Sequence, residues 1–175
     1  MLTLLLLRHA KSSWDDPALA DYDRPLAKRG KKAAPRMGAE IATLGLRPEL
    51  VLCSSAVRAK ETLALALAPL GSPAPEVVYD DGLYMATPAA LLARVRKLPS
   101  GATGPRTAMV VGHNPGLEEL AELLVGSGRD DVQDLMAAKF PTCALAIFKF
   151  DVQSWSDIAP GTGKLIQFLT PARLT

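Results

Sequence analysis

The stretch LTLLLLRHAKSS at positions 2–13 decides the fold class of this chain. Residues 2–7 are apolar except for Thr3, and the pair Arg8 and His9 follows them at once. A nearly continuous apolar run of this length is typical of a strand that is covered on both faces of a parallel sheet. The stretch therefore predicts a central strand whose carboxyl end presents polar side chains.

Two more apolar runs, at residues 50–53 and 108–111, predict further buried strands. Helical spacing of apolar residues predicts helices over residues 26–44, 56–67, 88–98 and 117–125. Pro35 must lie in the first turn of the first helix or kink it. Residues 142–150 and 165–169 predict two later strands and allow one antiparallel strand at a sheet edge. This alternation predicts an α/β fold, a three-layer sandwich with a mainly parallel central sheet and helices on both faces.

The composition bounds the class of protein. The chain has 175 residues, of which 49% are hydrophobic and 22% charged, so residues 1–175 are expected to form a single domain rather than a disordered chain. A formal net charge of +2 disfavours nucleic-acid binding. No apolar run approaches the length of a membrane span, and a cytoplasmic location without membrane contact is expected. Cys53 and Cys143 are expected to be buried, inert thiols.

One basic cluster, at residues 28–36, stands out from this balanced charge. It is interpreted as the solvated side of a helix, with a docking patch as the alternative.

Each of the three predicted buried strands is followed by polar side chains. Along the chain these are Arg8, His9, Lys11 and Ser12, then Ser54, Ser55 and Arg58, then His113 and Asn114. Ligands of open α/β sheets bind beyond the carboxyl ends of the strands. If the strands are neighbours, the two histidines of the chain meet two arginines in one pocket.

Such a pocket suits a phosphoryl group. Arginine pairs with phosphate oxygens through two parallel hydrogen bonds, and two arginines with one protonated imidazole would balance a phosphate monoester. The other imidazole, if neutral, could attack phosphorus and form a covalent intermediate. Two distant histidines beside an arginine make a poor cation site, so neither a metal nor another cofactor is expected.

The motifs at these strand ends resemble those of a known family. Residues 7–12 (LRHAKS) are similar to the RHG signature of the histidine phosphatase superfamily, with Ala10 in the place of the usual glycine. Residues 54–62 (SSAVRAKET) and 112–115 (GHNP) resemble its second and later motifs. Residues 24–30 and the short chain resemble the SixA-type phosphohistidine phosphatases. The resemblance implies a phosphoglycerate mutase-like fold and a phosphatase activity.

The resemblance also implies residue roles. His9 would be the nucleophile that becomes phosphorylated, Arg8 and Arg58 would hold the phosphoryl oxygens, and His113 would be the second imidazole of the site. The substrate-binding residues implied beside them are Ser12, Lys11 and Asn114, with Trp14 at the rim.

Some of these side chains also have purely structural interpretations. Ser54 and Ser55 are placed to cap the second helix, and Arg58 could pair with Glu61 three residues further on. Arg24 is expected to form an ion pair with Asp21 or Asp23, with a substrate-facing role as the alternative.

One departure from the family pattern bears on the substrate. Mutases and many monoesterases of the superfamily carry a glutamate as general acid, whereas residues 83–87 (LYMAT) contain no carboxylate. Asp80 and Asp81 lie just upstream and are interpreted as turn residues before Gly82, with a general-acid role as the alternative. A leaving alkoxide needs an acid, but an imidazole does not. A phosphorylated protein carrying phosphohistidine is therefore the expected substrate. The alternatives are a small phosphomonoester and a non-catalytic phosphate-binding role.

Overall fold

The computed structural model describes residues 1–174, and within them lie seven strands and five α-helices. The strands are β1 (Leu2–Arg8), β2 (Leu50–Ser54), β3 (Glu76–Asp80), β4 (Thr107–Gly112), β5 (Val125–Gly128), β6 (Leu145–Phe150) and β7 (Gly163–Leu169). The helices are α1 (Lys28–Thr43), α2 (Val57–Leu67), α3 (Pro88–Arg96), α4 (Gly116–Leu124) and α5 (Asp130–Ala138). The three buried strands and four helices predicted from the apolar pattern are confirmed.

The strands form one mainly parallel sheet in the order β3-β2-β4-β1-β6-β7-β5. Only β6 among them runs antiparallel to its neighbours, β1 and β7. An antiparallel strand within residues 142–150 is confirmed, but it lies inside the sheet, so its expected position at an edge is wrong. The chain enters β6 beside the end of β1, where Cys143 N–H donates to the His9 carbonyl at 2.9 Å. A strand that begins beside the carboxyl end of β1 and pairs with it must run antiparallel to β1.

Side chains on the two faces of the sheet build two separate apolar clusters. Leu4 and Leu6 of β1 pack on the side of α3, α4 and α5, whereas Leu5 and Leu7 pack on the side of α1 and α2. This division follows from the alternation of side chains along a strand. The predicted three-layer sandwich is confirmed.

Helices α1 and α2 pack closely because of one glycine. A Cβ atom at Gly38 of α1 would lie 2.0 Å from the Ala66 carbonyl oxygen of α2, so a larger residue there would push the helices apart. Pro35 lies in the middle of α1. Of the two alternatives for Pro35, a place in the first turn is therefore excluded, and a kink stays a prediction.

Two further expectations concern membrane-spanning helices and the two cysteines. None of the helices within residues 1–174 combines the length and the apolarity needed to cross a bilayer. Cys53 and Cys143 are buried free thiols, and burial raises the pKa of each to about 12. The prediction of buried, inert cysteines is confirmed.

Candidate active site

The carboxyl ends of three neighbouring strands bring the strand-end residues together. β4 lies between β1 and β2, with Arg8 opposite Gly112 and Cys53 opposite Val111. Beyond these ends lies a pocket of about 290 Å³. It is lined by Arg8, His9, Lys11, Ser12, Trp14, Asp21, Arg24, Arg58, Met85, His113, Asn114 and Thr142. The structure thus places all seven predicted site residues in one pocket.

His9 is held in the form that a nucleophile needs. Its Nδ1 lies 2.7 Å from the Ala10 carbonyl oxygen, which can only accept, so Nδ1 carries the proton and Nε2 keeps its lone pair. Burial lowers the pKa of His9 to about 3, and the nearby His113, Arg58 and Arg8 act in the same direction against the carbonyl contact. His9 is therefore neutral at physiological pH.

His113 is the second imidazole of the pocket, with its ring centroid 5.2 Å from that of His9. Its Nε2 lies 2.8 Å from Ser54 Oγ, and within residues 1–174 its buried Nδ1 has no hydrogen-bond partner. Burial and then Arg58 lower the pKa of His113 to about 4. Both imidazoles are therefore neutral at physiological pH, and the positive charge of the pocket comes from its arginines and Lys11. A protonated imidazole beside a bound phosphate stays a prediction.

Two arginines enter the pocket from β1 and from the first turn of α2. The Arg8 guanidinium donates to the Phe140 carbonyl at 3.0 Å, and its buried Nε has no partner within the described chain. Arg58 is 4% exposed and donates to the backbone carbonyl and the carboxylate of Asp21, at 2.6 and 2.9 Å. These contacts use two of its five N–H donors. The alternative pairing with Glu61 is wrong.

Asp21 is the pocket residue whose central place the sequence analysis missed. Its carboxylate pairs with Arg58 and Arg24, each at 2.9 Å, and accepts a hydrogen bond from the Tyr84 hydroxyl. The Tyr84 hydroxyl and then the two arginines, against the effect of burial, lower the pKa of Asp21 to about 2. A carboxylate this acidic remains ionised at every pH where the protein is expected to work.

Arg24 has the structural role that was expected, and its substrate-facing role stays a prediction. It pairs with Asp21 rather than Asp23, which confirms the structural interpretation, and it also lines the pocket. Its guanidinium donates to Ser12 Oγ at 2.6 Å and lies 3.2 Å from the ring centre of the exposed Trp14. Arg24 thereby holds the loop after β1 in place.

Asn114 also has structural partners. Its side-chain amide donates to the Phe140 carbonyl at 3.0 Å, and its oxygen accepts from Glu118 N–H at 3.2 Å. Asn114 therefore joins the start of α4 to the loop that also holds Arg8.

Thr62 connects two of the motifs from beneath the pocket. Its hydroxyl donates to the Arg58 carbonyl at 2.7 Å and accepts from Ala10 N–H at 2.9 Å. Thr62 is fully buried, so the loss of its hydroxyl would leave the Ala10 N–H without a partner. Thr62 belongs to the motif at residues 54–62, but the sequence does not show that its hydroxyl joins this motif to the loop after β1.

The remaining candidates lie outside the pocket lining. Asp80 accepts from Gly82 N–H at 2.8 Å and pairs with Arg94 at 2.6 Å, and Asp81 accepts from Ser55. The turn interpretation of the two aspartates is confirmed.

The predicted capping serines have other roles. Ala56 occupies the N-cap position of α2 and makes no side-chain capping hydrogen bond, so the prediction of a serine cap is wrong. Ser54 Oγ still accepts from Ala56 N–H at 3.3 Å.

The described side chains do not form a metal-binding cluster. Across residues 1–174, no group of three histidine, cysteine, aspartate or glutamate side chains is arranged to hold a metal ion.

Comparison with known proteins identifies the family. The model of the histidine phosphatase superfamily (branch 1) matches residues 4–84. The uncharacterized protein Rv1276c of Mycobacterium tuberculosis is 36% identical over 167 residues, which cover 94% of this chain and 99% of that protein. The chain therefore belongs to the histidine phosphatase superfamily.

Two solved structures resemble the whole fold, and both are of proteins described as candidate phosphohistidine phosphatases SixA. The protein from Agrobacterium tumefaciens has a TM-score of 0.79 and 29% identity, and the match covers 97% of this chain and 98% of that one. The protein from Nakamurella multipartita has a TM-score of 0.81 and 28% identity, with 97% and 96% covered. The fold is phosphoglycerate mutase-like, and the family supports phosphatase activity.

Proposed function

We propose that this protein is a phosphatase that hydrolyses phosphohistidine in proteins through a phosphorylated His9. The observation that carries the proposal is the state of Asp21. It is the one carboxylate among the described pocket residues, and its pKa is lowered to about 2. A general acid works best with a pKa near the operating pH, so Asp21 is unsuited to protonate a leaving alkoxide.

The pocket supplies the positive charge that phosphoryl transfer requires. Arg8, Lys11, Arg24 and Arg58 carry four positive charges against one negative charge on Asp21. Phosphoryl transfer depends mainly on positioning and on neutralising the equatorial oxygens. The N–H groups of Arg8 and Arg58 that make no hydrogen bond within the described chain would bind those oxygens.

In the first step, the lone pair on Nε2 of His9 forms a bond to phosphorus while the P–N bond of the substrate breaks. The electron pair of that bond passes to the departing imidazole, which leaves neutral because phosphohistidine reacts in the form that is protonated on its other ring nitrogen. This leaving group needs no acid. The alcohol of a phosphomonoester would have to leave as an alkoxide. The loss of a positioned acid costs such a reaction roughly 10²–10⁴-fold in rate.

In the second step, water forms a bond to phosphorus and the bond to His9 breaks. The electron pair returns to Nε2, and both protons of the attacking water remain with the product, dihydrogen phosphate. His113 acts in both steps as a donor. The Ser54 hydroxyl donates to its Nε2 in the tautomer that leaves an N–H on the unpartnered Nδ1. A bound dianion would also raise the pKa of His113 and favour its protonation.

A substrate panel tests the proposal. The wild-type protein and His9→Ala are compared on a phosphohistidine protein, free phosphohistidine, a sugar phosphate and a nucleotide monophosphate. We expect kcat/KM for the phosphohistidine substrates to exceed that for the monoesters by at least about 10²-fold, and His9→Ala to abolish hydrolysis of both. Preference for a monoester would refute the proposed substrate. Phosphate binding without any hydrolysis that depends on His9 would refute enzymatic function.

A further inference from the structure

A second and larger cavity lies beside the catalytic pocket, beyond the carboxyl ends of the parallel strands. This basic groove has a volume of about 650 Å³. One wall is the face of α1 that contains Arg29, Lys32 and Arg36, and the opposite wall is the end of α5 with the segment 170–173 that follows β7. Because β7 runs parallel to β1, the groove and the catalytic pocket open at the same edge.

The charge of the basic groove has one sign. Among the described residues that line it are six cationic side chains, Lys11, Arg29, Lys32, Arg36, Lys139 and Arg173, and no carboxylate side chain. All six are exposed. None takes part in the ion pairs found within residues 1–174, where Arg36 donates only to the Leu174 carbonyl, at 2.9 Å. This concentration contrasts with a chain whose formal net charge is +2.

The floor of the basic groove is apolar. Ala33 and Phe168 are buried beneath the cationic side chains, and Leu135 and Pro141 line the walls. A cavity with an apolar floor and a cationic rim fits a ligand that carries both acidic and apolar groups.

Three of the six cations are spaced along α1 rather than gathered around one point. Arg29, Lys32 and Arg36 are three and four residues apart, so they lie on one helical face about 5–6 Å from each other. They extend over about 10 Å. Side chains on one face of an extended peptide are about 7 Å apart, and successive acidic side chains can therefore meet successive cations. A single phosphate group would instead need donors that converge on it.

The basic groove is continuous with the catalytic pocket. Lys11 and Thr142 line both cavities. We propose that the basic groove binds an acidic segment of the phosphoprotein substrate, next to the phosphohistidine held by His9. This inference rests on the proposed function and names the feature that the protein substrate must carry. The predicted basic cluster at residues 28–36 is thus divided: Arg29, Lys32 and Arg36 line the groove, whereas Lys28 and Lys31 do not.

The test compares two double variants with equal charge change on the same helix. Arg29→Glu with Lys32→Glu reverses the charge of the groove wall, and Lys28→Glu with Lys31→Glu is the matched control outside it. The substrates are a phosphohistidine peptide with aspartates and glutamates beside the phosphorylated residue, the same peptide with amides in their place, and free phosphohistidine.

We expect the groove variant to raise KM for the acidic peptide about tenfold, with kcat and the hydrolysis of free phosphohistidine unchanged. The control variant should match the wild type on every substrate. Added salt should raise the wild-type KM for the acidic peptide but not for the amide peptide. An equal wild-type KM for the two peptides, or a groove variant with the wild-type KM, would overturn the proposal.

A binding measurement separates this inference from the proposed function. Fluorescence anisotropy with the unphosphorylated acidic peptide requires no catalysis. Binding to the wild type and the control variant, but not to the groove variant, supports the groove assignment even if phosphohistidine is not hydrolysed. Binding of inorganic polyphosphate alone, or of vesicles of anionic lipid alone, without binding of the peptide would overturn it.

Discussion

Mild acid should destabilise the folded protein through its two pocket histidines. The folded state lowers the pKa of His9 to about 3 and that of His113 to about 4, from an ordinary value of 6.5. Between these values the unfolded chain binds protons that the folded protein does not, so the free energy of unfolding falls as the pH falls. The stability is full above about pH 6.5 and declines towards the folded-state pKa values.

The magnitude follows from the same linkage. On going from about pH 7.5 to about pH 5, each histidine removes roughly 2 kcal/mol from the free energy of unfolding, or roughly 4 kcal/mol for the pair. That is a large part of the 5–15 kcal/mol typical of a domain. Carboxylates contribute little in this range, because their ordinary pKa values near 4 keep them ionised in both states.

Urea unfolding at the two pH values measures this loss. In His9→Ala and in His113→Ala we expect about half of the wild-type loss, roughly 2 kcal/mol, since one titrating imidazole remains. A wild-type protein that is equally stable at both pH values would refute the assignment of two neutral, buried imidazoles. So would single variants that lose as much stability as the wild type.

Three substitutions test other contacts. Arg58→Lys removes the planar fork, and steady-state kinetics should show kcat/KM lowered about 10²-fold; a loss below threefold would contradict phosphate binding by Arg58. Thr62→Val leaves the buried Ala10 N–H without a partner and should lower the free energy of unfolding by roughly 1–3 kcal/mol, with Thr62→Ser largely restoring it. Gly30→Ala places a Cβ atom 2.3 Å from the Lys11 carbonyl oxygen, so thermal unfolding should show a lower Tm and assays a lower kcat; wild-type values would exclude this close approach.

The sequence predicts the centre of the sheet well because β1, β2 and β4 are apolar almost throughout. It does not predict β3, where most side chains are at least partly exposed at the sheet edge. It also misses β5, whose sequence VGSG has little strand preference. Helix α5 begins with two aspartates and buries only Val132 and Met136. These three elements depend on tertiary partners that a local pattern does not reveal.

The candidate site likewise has a part that the sequence predicts and a part that depends on tertiary contacts. His9, His113 and Arg58 follow buried strands, so their convergence is predictable from topology. The place of Asp21 is not, because it requires a loop to cross to Arg58 and Tyr84, which lie 37 and 63 residues further along the chain. The protonation states of His9 and His113 cannot be predicted from the sequence either, because their lowered pKa values arise mainly from burial.

The most direct test of the account is to trap the phosphorylated enzyme. The protein is mixed with a ³²P-labelled phosphohistidine substrate, quenched within milliseconds in alkali, which preserves phosphohistidine, and digested to map the label. The account predicts one labelled residue, His9, with label that forms and decays at rates compatible with kcat and is absent in His9→Ala. Label on a different residue, or turnover at the wild-type rate in His9→Ala, would contradict it.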